Sequence, residues 1–170
     1  KLITSKGFEV DGKDIVLDNK KRIISSNSNT TVIDKDGNKV EVEMFNYFID
    51  KNIFFSKGKI KLIDSKSNEY NLSEIYIDEK KGKIIGTDVK VFLNSPDLKI
   101  NSKNEPRMFA NSISLSGNDS TLEKGIFTYC ENKGKDKCPP WTLQSKKIKH
   151  NKSKKTIYYD NAVLKIYAFL

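Results

Sequence analysis

Cysteine occurs only twice in this chain, as Cys130 and Cys138, and tryptophan and histidine once each, as Trp141 and His150. A domain of 170 residues can bury a core without cross-links, so two cysteines do not define a disulfide scaffold. No second cysteine pair or histidine cluster completes a zinc set around them. With one histidine in a lysine-rich stretch, no local motif builds a nucleophile and base pair; His150 reads as a solvated turn residue and the chain as a non-enzyme. Neither GxGxxG nor GxxxxGK occurs, which removes nucleotide loops of that kind, and no cofactor is expected. No apolar run approaches the roughly 20 residues of a membrane helix. The chain starts at Lys1 with no initiator Met and no charged head and apolar middle of a secretory signal, and reads as a mature protein or an excised piece.

Arginine is also scarce, with Arg22 and Arg107 alone against a net charge of +9 that is otherwise carried by lysine. Readers of nucleic acid favour arginine for its bidentate contacts, so nucleic acid is not an expected partner. The segment Glu131 to Lys155 holds nine lysines against two acids, Glu131 and Asp136. An anionic partner would explain it; so would a general bias of the chain toward Lys, Asn and Ile. The acids Asp34, Asp36, Asp64, Asp78 and Asp88 fall at turn starts or strand ends, where aspartate caps backbone groups.

What is abundant is alternation. "KVEVEM" places Val40, Val42 and Met44 on one strand face, and period two recurs at Ile60 and Leu62, at Tyr70 and Leu72, at Ile75 and Ile77, at Val89, Val91 and Leu93, at Ile113 and Leu115, and at Ala162, Leu164 and Ile166. Turn signals separate the runs: "VDGKD", "DKDGNK", "SKGK", "DEKKGK" and "SGNDS". No sustained helical period occurs, so the expected class is all-β, a folded antiparallel sheet in a single domain over residues 1–170. A weak repeat of strand, charged turn and strand begins at Ile15, Tyr47 and Ile75, roughly every 30 residues, with a further instance from Lys147. Such units cannot bury an apolar face alone and must stack, giving an elongated sheet with an apolar interior. The alternation breaks step at Phe45, Tyr47 and Ile49 and again at Glu74 and Ile75, which predicts bends that fold the sheet on itself.

The rare residues converge in "FTYCENKGKDKCPPWTL", Phe127 to Leu143. Spacing alone leaves a local disulfide, bonds to cysteines elsewhere, or free thiols. The order Thr128, Cys130, Cys138, Pro139, Pro140, Trp141, Leu143, Ile148, His150, Asn161, Ala162 resembles the end of the periplasmic, OstA-like domain of the outer-membrane LPS-assembly protein family, LptD. The likeness is specific over the last 45 or so residues. Two positions depart from it: Ser145 stands where alanine is usual, and Asn151 where aspartate follows the histidine.

The resemblance implies a folded-over β-jellyroll, V-shaped in section, that conducts the acyl chains of lipopolysaccharide along its apolar interior. Its implied partners are a periplasmic bridge protein of the LptA type, docked by edge-strand addition, and the chain's own C-terminal barrel with its lipoprotein plug. The implied location is the periplasm, as part of an outer-membrane protein of a Gram-negative bacterium, so that the chain would be a piece lacking its barrel. It further implies that Cys130 and Cys138 form disulfides with cysteines near the end of that barrel. The expected lipid-binding groove consists of Val40, Val42, Ile60, Leu62, Leu72, Val89, Val91, Ile113, Leu115, Leu164 and Ile166.

Two other classes fit parts of the pattern. One is a secreted β-sandwich that binds carbohydrate or protein through its loops. The other is a basic nucleic-acid binder, suggested by aromatics interleaved with lysine in "TIYYDNAVLKIYAF"; at strand spacing those aromatics fit sheet packing better.

Overall fold

A computed structural model describes residues 1–3, 7–94, 104–117, 119–131, 140–151, 153–154 and 156–167. The alternating runs form strands. In chain order these are β1 (Leu2–Ile3), β2 (Glu9–Gly12), β3 (Val16–Asp18), β4 (Ile23–Ser26), β5 (Thr30–Ile33), β6 (Lys39–Val42), β7 (Phe45–Phe48), β8 (Ile53–Ile63), β9 (Glu69–Asp78) and β10 (Lys83–Phe92). They continue as β11 (Asn104–Ser116), β12 (Asp119–Glu131), β13 (Trp141–Asn151), β14 (Thr156–Asp160) and β15 (Val163–Ile166). All 15 belong to one sheet, every pairing is antiparallel, and the sheet stays open.

The pairing shows how one sheet becomes two layers. The first half of β8 pairs with β7 and its second half with β6. At the other end, β13 pairs with β15 through Trp141–Gln144 and with β14 through Lys147–Asn151. The short strands are therefore halves of longer ones, broken where the sheet folds over. One layer contains β1, β2, β5, β6, β15 and the adjoining halves of β8 to β13; the other contains β3, β4, β7, β14 and the remaining halves. A single core cluster joins them, with Val42, Ile60, Leu72, Val89 and Ala110 from the first layer and Phe45, Ile75, Ile113, Leu122 and Ile148 from the second.

Folding a strand frees backbone groups that must find other partners. Where strands break outright, serine hydroxyls take the freed carbonyls. Ser26 Oγ donates to Lys13 O at 2.9 Å, beside the gap between β2 and β3. Ser56 Oγ donates to Met44 O at 2.7 Å, in the gap between β6 and β7. Ser145 Oγ reaches Asp160 O at 2.7 Å, at the end of β14, and Lys147 O at 2.8 Å. All three serines are buried. Ser145 thus has a structural role at the fold line.

Where strands run through the fold, the chain instead bulges or brings its walls together. The register of β8 against β9 shifts between Lys57 and Ile60, and Gly58 at φ +107° takes a conformation that side chains rarely adopt. This corrects the expectation of a turn at "SKGK": the glycine makes a bulge inside one strand. Likewise "VDGKD" is the end of β2, through Gly12, followed by two residues of the gap before β3. The break between Val42 and Phe45 also moves the inward positions to Phe45 and Tyr47, so that Met44 leaves the face shared by Val40 and Val42. At Gly86 a β-carbon would collide with Leu72 Cδ2, across the fold, and crowd Ile113 Cγ2.

The repeat is visible in backbone geometry. Left-handed residues recur at 7, 37 and 67 and at 22, 52 and 82, two series that each step by 30 residues. Two of the turns are chemically alike. Asp34 accepts the backbone N–H groups of Asp36 and Asn38 and the Asn38 amide; Asp64 accepts the N–H groups of Lys66 and Asn68, the Asn68 amide and the Tyr70 hydroxyl. Each turn also holds the next, because Asn38 Oδ1 accepts Ser65 N–H at 2.9 Å and Asn68 Oδ1 accepts Asn94 N–H at 2.9 Å. Partial burial pushes both carboxyls up, but the bonds from the asparagines and the turn N–H groups outweigh it and hold Asp34 and Asp64 below the usual aspartate range. The Tyr70 hydroxyl is pushed up to about 12, by burial and then by the Asp64 charge.

Ser56→Ala removes the buried hydroxyl that satisfies the Met44 carbonyl and should cost about 1–3 kcal/mol, read from chemical denaturation, whereas Ser65→Ala in an exposed turn should lie within roughly 0.5 kcal/mol of wild type. Asp34 and Asp64 have folded pKa values lowered from the unfolded one, so their stabilisation is present above about pH 4 and is lost as pH falls through the folded values. A stability–pH curve should therefore slope below about pH 4, and Asp64→Asn should flatten that slope.

Candidate functional site: an open apolar groove

The registers align inward side chains into rows that cross the sheet, since directly paired residues share a face. In the first layer one row runs Val10, Val32, Val40, Leu62, Tyr70 and Val91, each paired with the next. It continues through Met108, Phe127, Leu143 and Leu164. In the second layer a matching row runs Leu17, Ile24, Tyr47, Phe54, Ile77, Ile84 and Leu115.

Two further rows lie closer to the fold. Val42, Ile60 and Leu72 pair in sequence in the first layer; Ile113, Leu122 and Ile148 do so in the second. These rows are buried, whereas the outer rows from Val40 to Met108 and from Ile24 to Leu115 are half-buried apart from Val91, which belongs to the buried core. Burial therefore falls from the fold line outward on both walls, as in a groove whose apex is filled by its own side chains and whose mouth is open. Phe45 and Phe54 stack within one wall at 5.7 Å between ring centroids.

The opposite faces are polar. Cross-strand pairs Lys57–Glu74 at 3.2 Å, Lys61–Glu69 at 2.9 Å, Lys147–Glu123 at 3.4 Å and Lys149–Asp119 at 3.0 Å occupy the outside. Being exposed, each contributes little to stability; together they keep water on the outer face.

The sequence-derived groove residues all fall on this inner face. Val40, Leu62 and Leu115 line the mouth, Val91 stands in the same outer row but is buried, and Val42, Ile60, Leu72, Val89 and Ile113 lie near the fold. Leu164 and Ile166 stand on the same face but on the last strand, with Ile166 76% exposed. Sequence reasoning did not assign Ile24, Tyr47, Phe54, Ile84, Met108, Phe127, Leu122 or Ile148 to the groove. In the sequence Phe127 and Ile148 stand out only as family landmarks, and the break at Glu43 and Met44 hides the phase of Tyr47.

His150 departs from expectation. Rather than lying in a solvated turn, it sits near the end of β13, half-buried and on the same face as buried Ile148, between exposed Lys149 and the strand end. Thr128 donates to Trp141 O at 2.8 Å, and Phe127 meets Trp141 edge to face at 6.0 Å, so the start of β13 is fixed against β12. Cys130 lies in β12 opposite Glu105, while Cys138 lies outside the described residues, as does most of the lysine-rich loop around it.

Both ends of the sheet leave apolar side chains uncovered. Ile3, Val16 and Leu17 do so at the start, and Ile157, Leu164 and Ile166 at the finish. Among the described residues, β1 and β3 at one end and β14 and β15 at the other have a strand on one side only.

No protein-family profile and no curated protein matches the chain. Among solved structures it is similar to LptH of Pseudomonas aeruginosa, described as the LptA homologous periplasmic component of the conserved lipopolysaccharide transport device, at 13% identity over 96% of each chain with a TM-score of 0.35.

Proposed function

We propose that the groove is a conduit for the alkyl chains of a lipid, with lipopolysaccharide as the cargo, in a periplasmic domain of the LptD type. The observation that carries this reading is the pair of half-buried apolar rows facing each other along the sheet. A sealed sandwich would bury both, and a loop-binding module would not need them. Each methylene taken from water into such a groove gains roughly 0.8 kcal/mol, while the charged part of the lipid stays at the mouth near the lysines.

The two open edges fit the same reading. An uncovered strand with apolar neighbours is an aggregation hazard in isolation, and as a docking edge it accepts a strand from a bridge protein at one end and a membrane-embedded barrel at the other. Under this reading Cys130 and Cys138 are covalent checks on assembly with that barrel.

Photocrosslinking tests the conduit. A benzophenone side chain at Leu62 or Leu115 should form adducts with lipopolysaccharide, whereas the same group at outward Lys61 should form few; equal labelling at all three, or none, contradicts it. Non-reducing mass spectrometry of the full-length protein should show Cys130 bonded to a cysteine outside residues 1–170. A Cys130–Cys138 bond, or two free thiols, would remove the proposed check.

A further inference from the structure

The outer row of the second layer is apolar through Phe54, Ile77, Ile84 and Leu115, and then changes character. Leu115 pairs with Ser120, Ser120 with His150, and His150 with Ile157. The two polar side chains interrupt the row near one end of the sheet and are half-buried. Neither has a hydrogen-bond partner among the described residues. Their outward neighbours are already engaged: Asn151 Nδ2 donates to Asp119 Oδ1 at 2.8 Å, and Lys149 meets Asp119 at 3.0 Å.

The facing lip is different. The same strand, β13, crosses the fold and carries Trp141 and Leu143 on the other wall, where Leu143 pairs with Phe127. The polar step thus exists on one lip only, opposite an aromatic and aliphatic one. No fold requirement explains it, because an apolar side chain at either position would complete the row.

Resting on the conduit reading, we infer that Ser120 and His150 form a polar stop that orients the lipid. The occupant is an amphiphile whose alkyl chain lies along the apolar rows of β7 to β11 and whose hydroxyl, ester or carboxyl oxygen hydrogen-bonds to the imidazole and hydroxyl. Alkyl chain placed against these two groups would leave their hydrogen-bonding capacity unused, at a cost that polar groups removed from water always incur. The groove therefore has a direction, with the head end at β12 and β13.

Trp141, the only tryptophan, provides the readout, since it lies on the lip facing this step. Stearic acid carrying bromine near the carboxyl, at mid-chain or near the methyl end serves as the probe. For the wild-type chain, quenching should be strongest with bromine near the carboxyl. In His150→Leu combined with Ser120→Ala fatty acid should still bind but the positional preference should disappear, and His150→Gln, which keeps a donor, should retain it. A flat profile in the wild type, quenching strongest from the methyl end, or a preference that survives the double substitution would overturn the polar stop while leaving the conduit standing. No bound fatty acid and no quenching with any probe would instead overturn the conduit itself.

Discussion

Everything in this molecule depends on how a β-sheet can be folded in half without leaving buried backbone groups unpaired. A ladder strand cannot turn sharply and keep its hydrogen bonds, and a carbonyl left without a partner inside the fold would cost on the order of 1–3 kcal/mol. The chain solves this strand by strand. At the broken strands, Ser26, Ser56 and Ser145 donate to freed carbonyls. In β8, Gly58 supplies a conformation that makes a bulge, and Gly86 lets Leu72 approach from the other wall. The requirement is local, small in residue count and repeated along one line.

Once the fold line is secured, the rest follows from period two. Each strand half sends alternate side chains inward, and the register aligns them into rows. Because the strands continue through the fold or resume beyond a break, both walls of any one sector belong to the same strands. The turn at Asp34 and the turn at Asp64 add a second line of order at the rim, each asparagine accepting from the backbone of the next unit. The result is a stack that can be lengthened by repetition while its interior stays apolar and its exterior stays charged.

Much of this was legible in the residues. The all-β class and the 30-residue period came from alternation and turn spacing, as did the shared strand face of the eleven residues expected to line the groove. The bends anticipated near Phe45 and Glu74 are present, because a break in apolar phase records the point where a strand changes layer. Less was visible at the fold line itself. "SKGK" resembles a hairpin turn, and only the pairing of β8 on both sides shows it to be a bulge. Ser56 and Ser145 look like interruptions of a strand until their acceptors are located. His150 was misplaced because the lysines around it point outward and mask a strand in which every second residue faces in. The alternation of Lys147, Ile148, Lys149 and His150 would have revealed it.

If the two facing apolar rows enclose space for alkyl chain, stearic acid spin-labelled near its methyl end should broaden the methyl resonances that line that space. Selective broadening of Leu62, Met108, Ile84 and Leu115 is expected, with the uncovered ends at Ile3 and Ile166 much less affected. Broadening confined to those ends, or spread evenly over the whole surface, would contradict it.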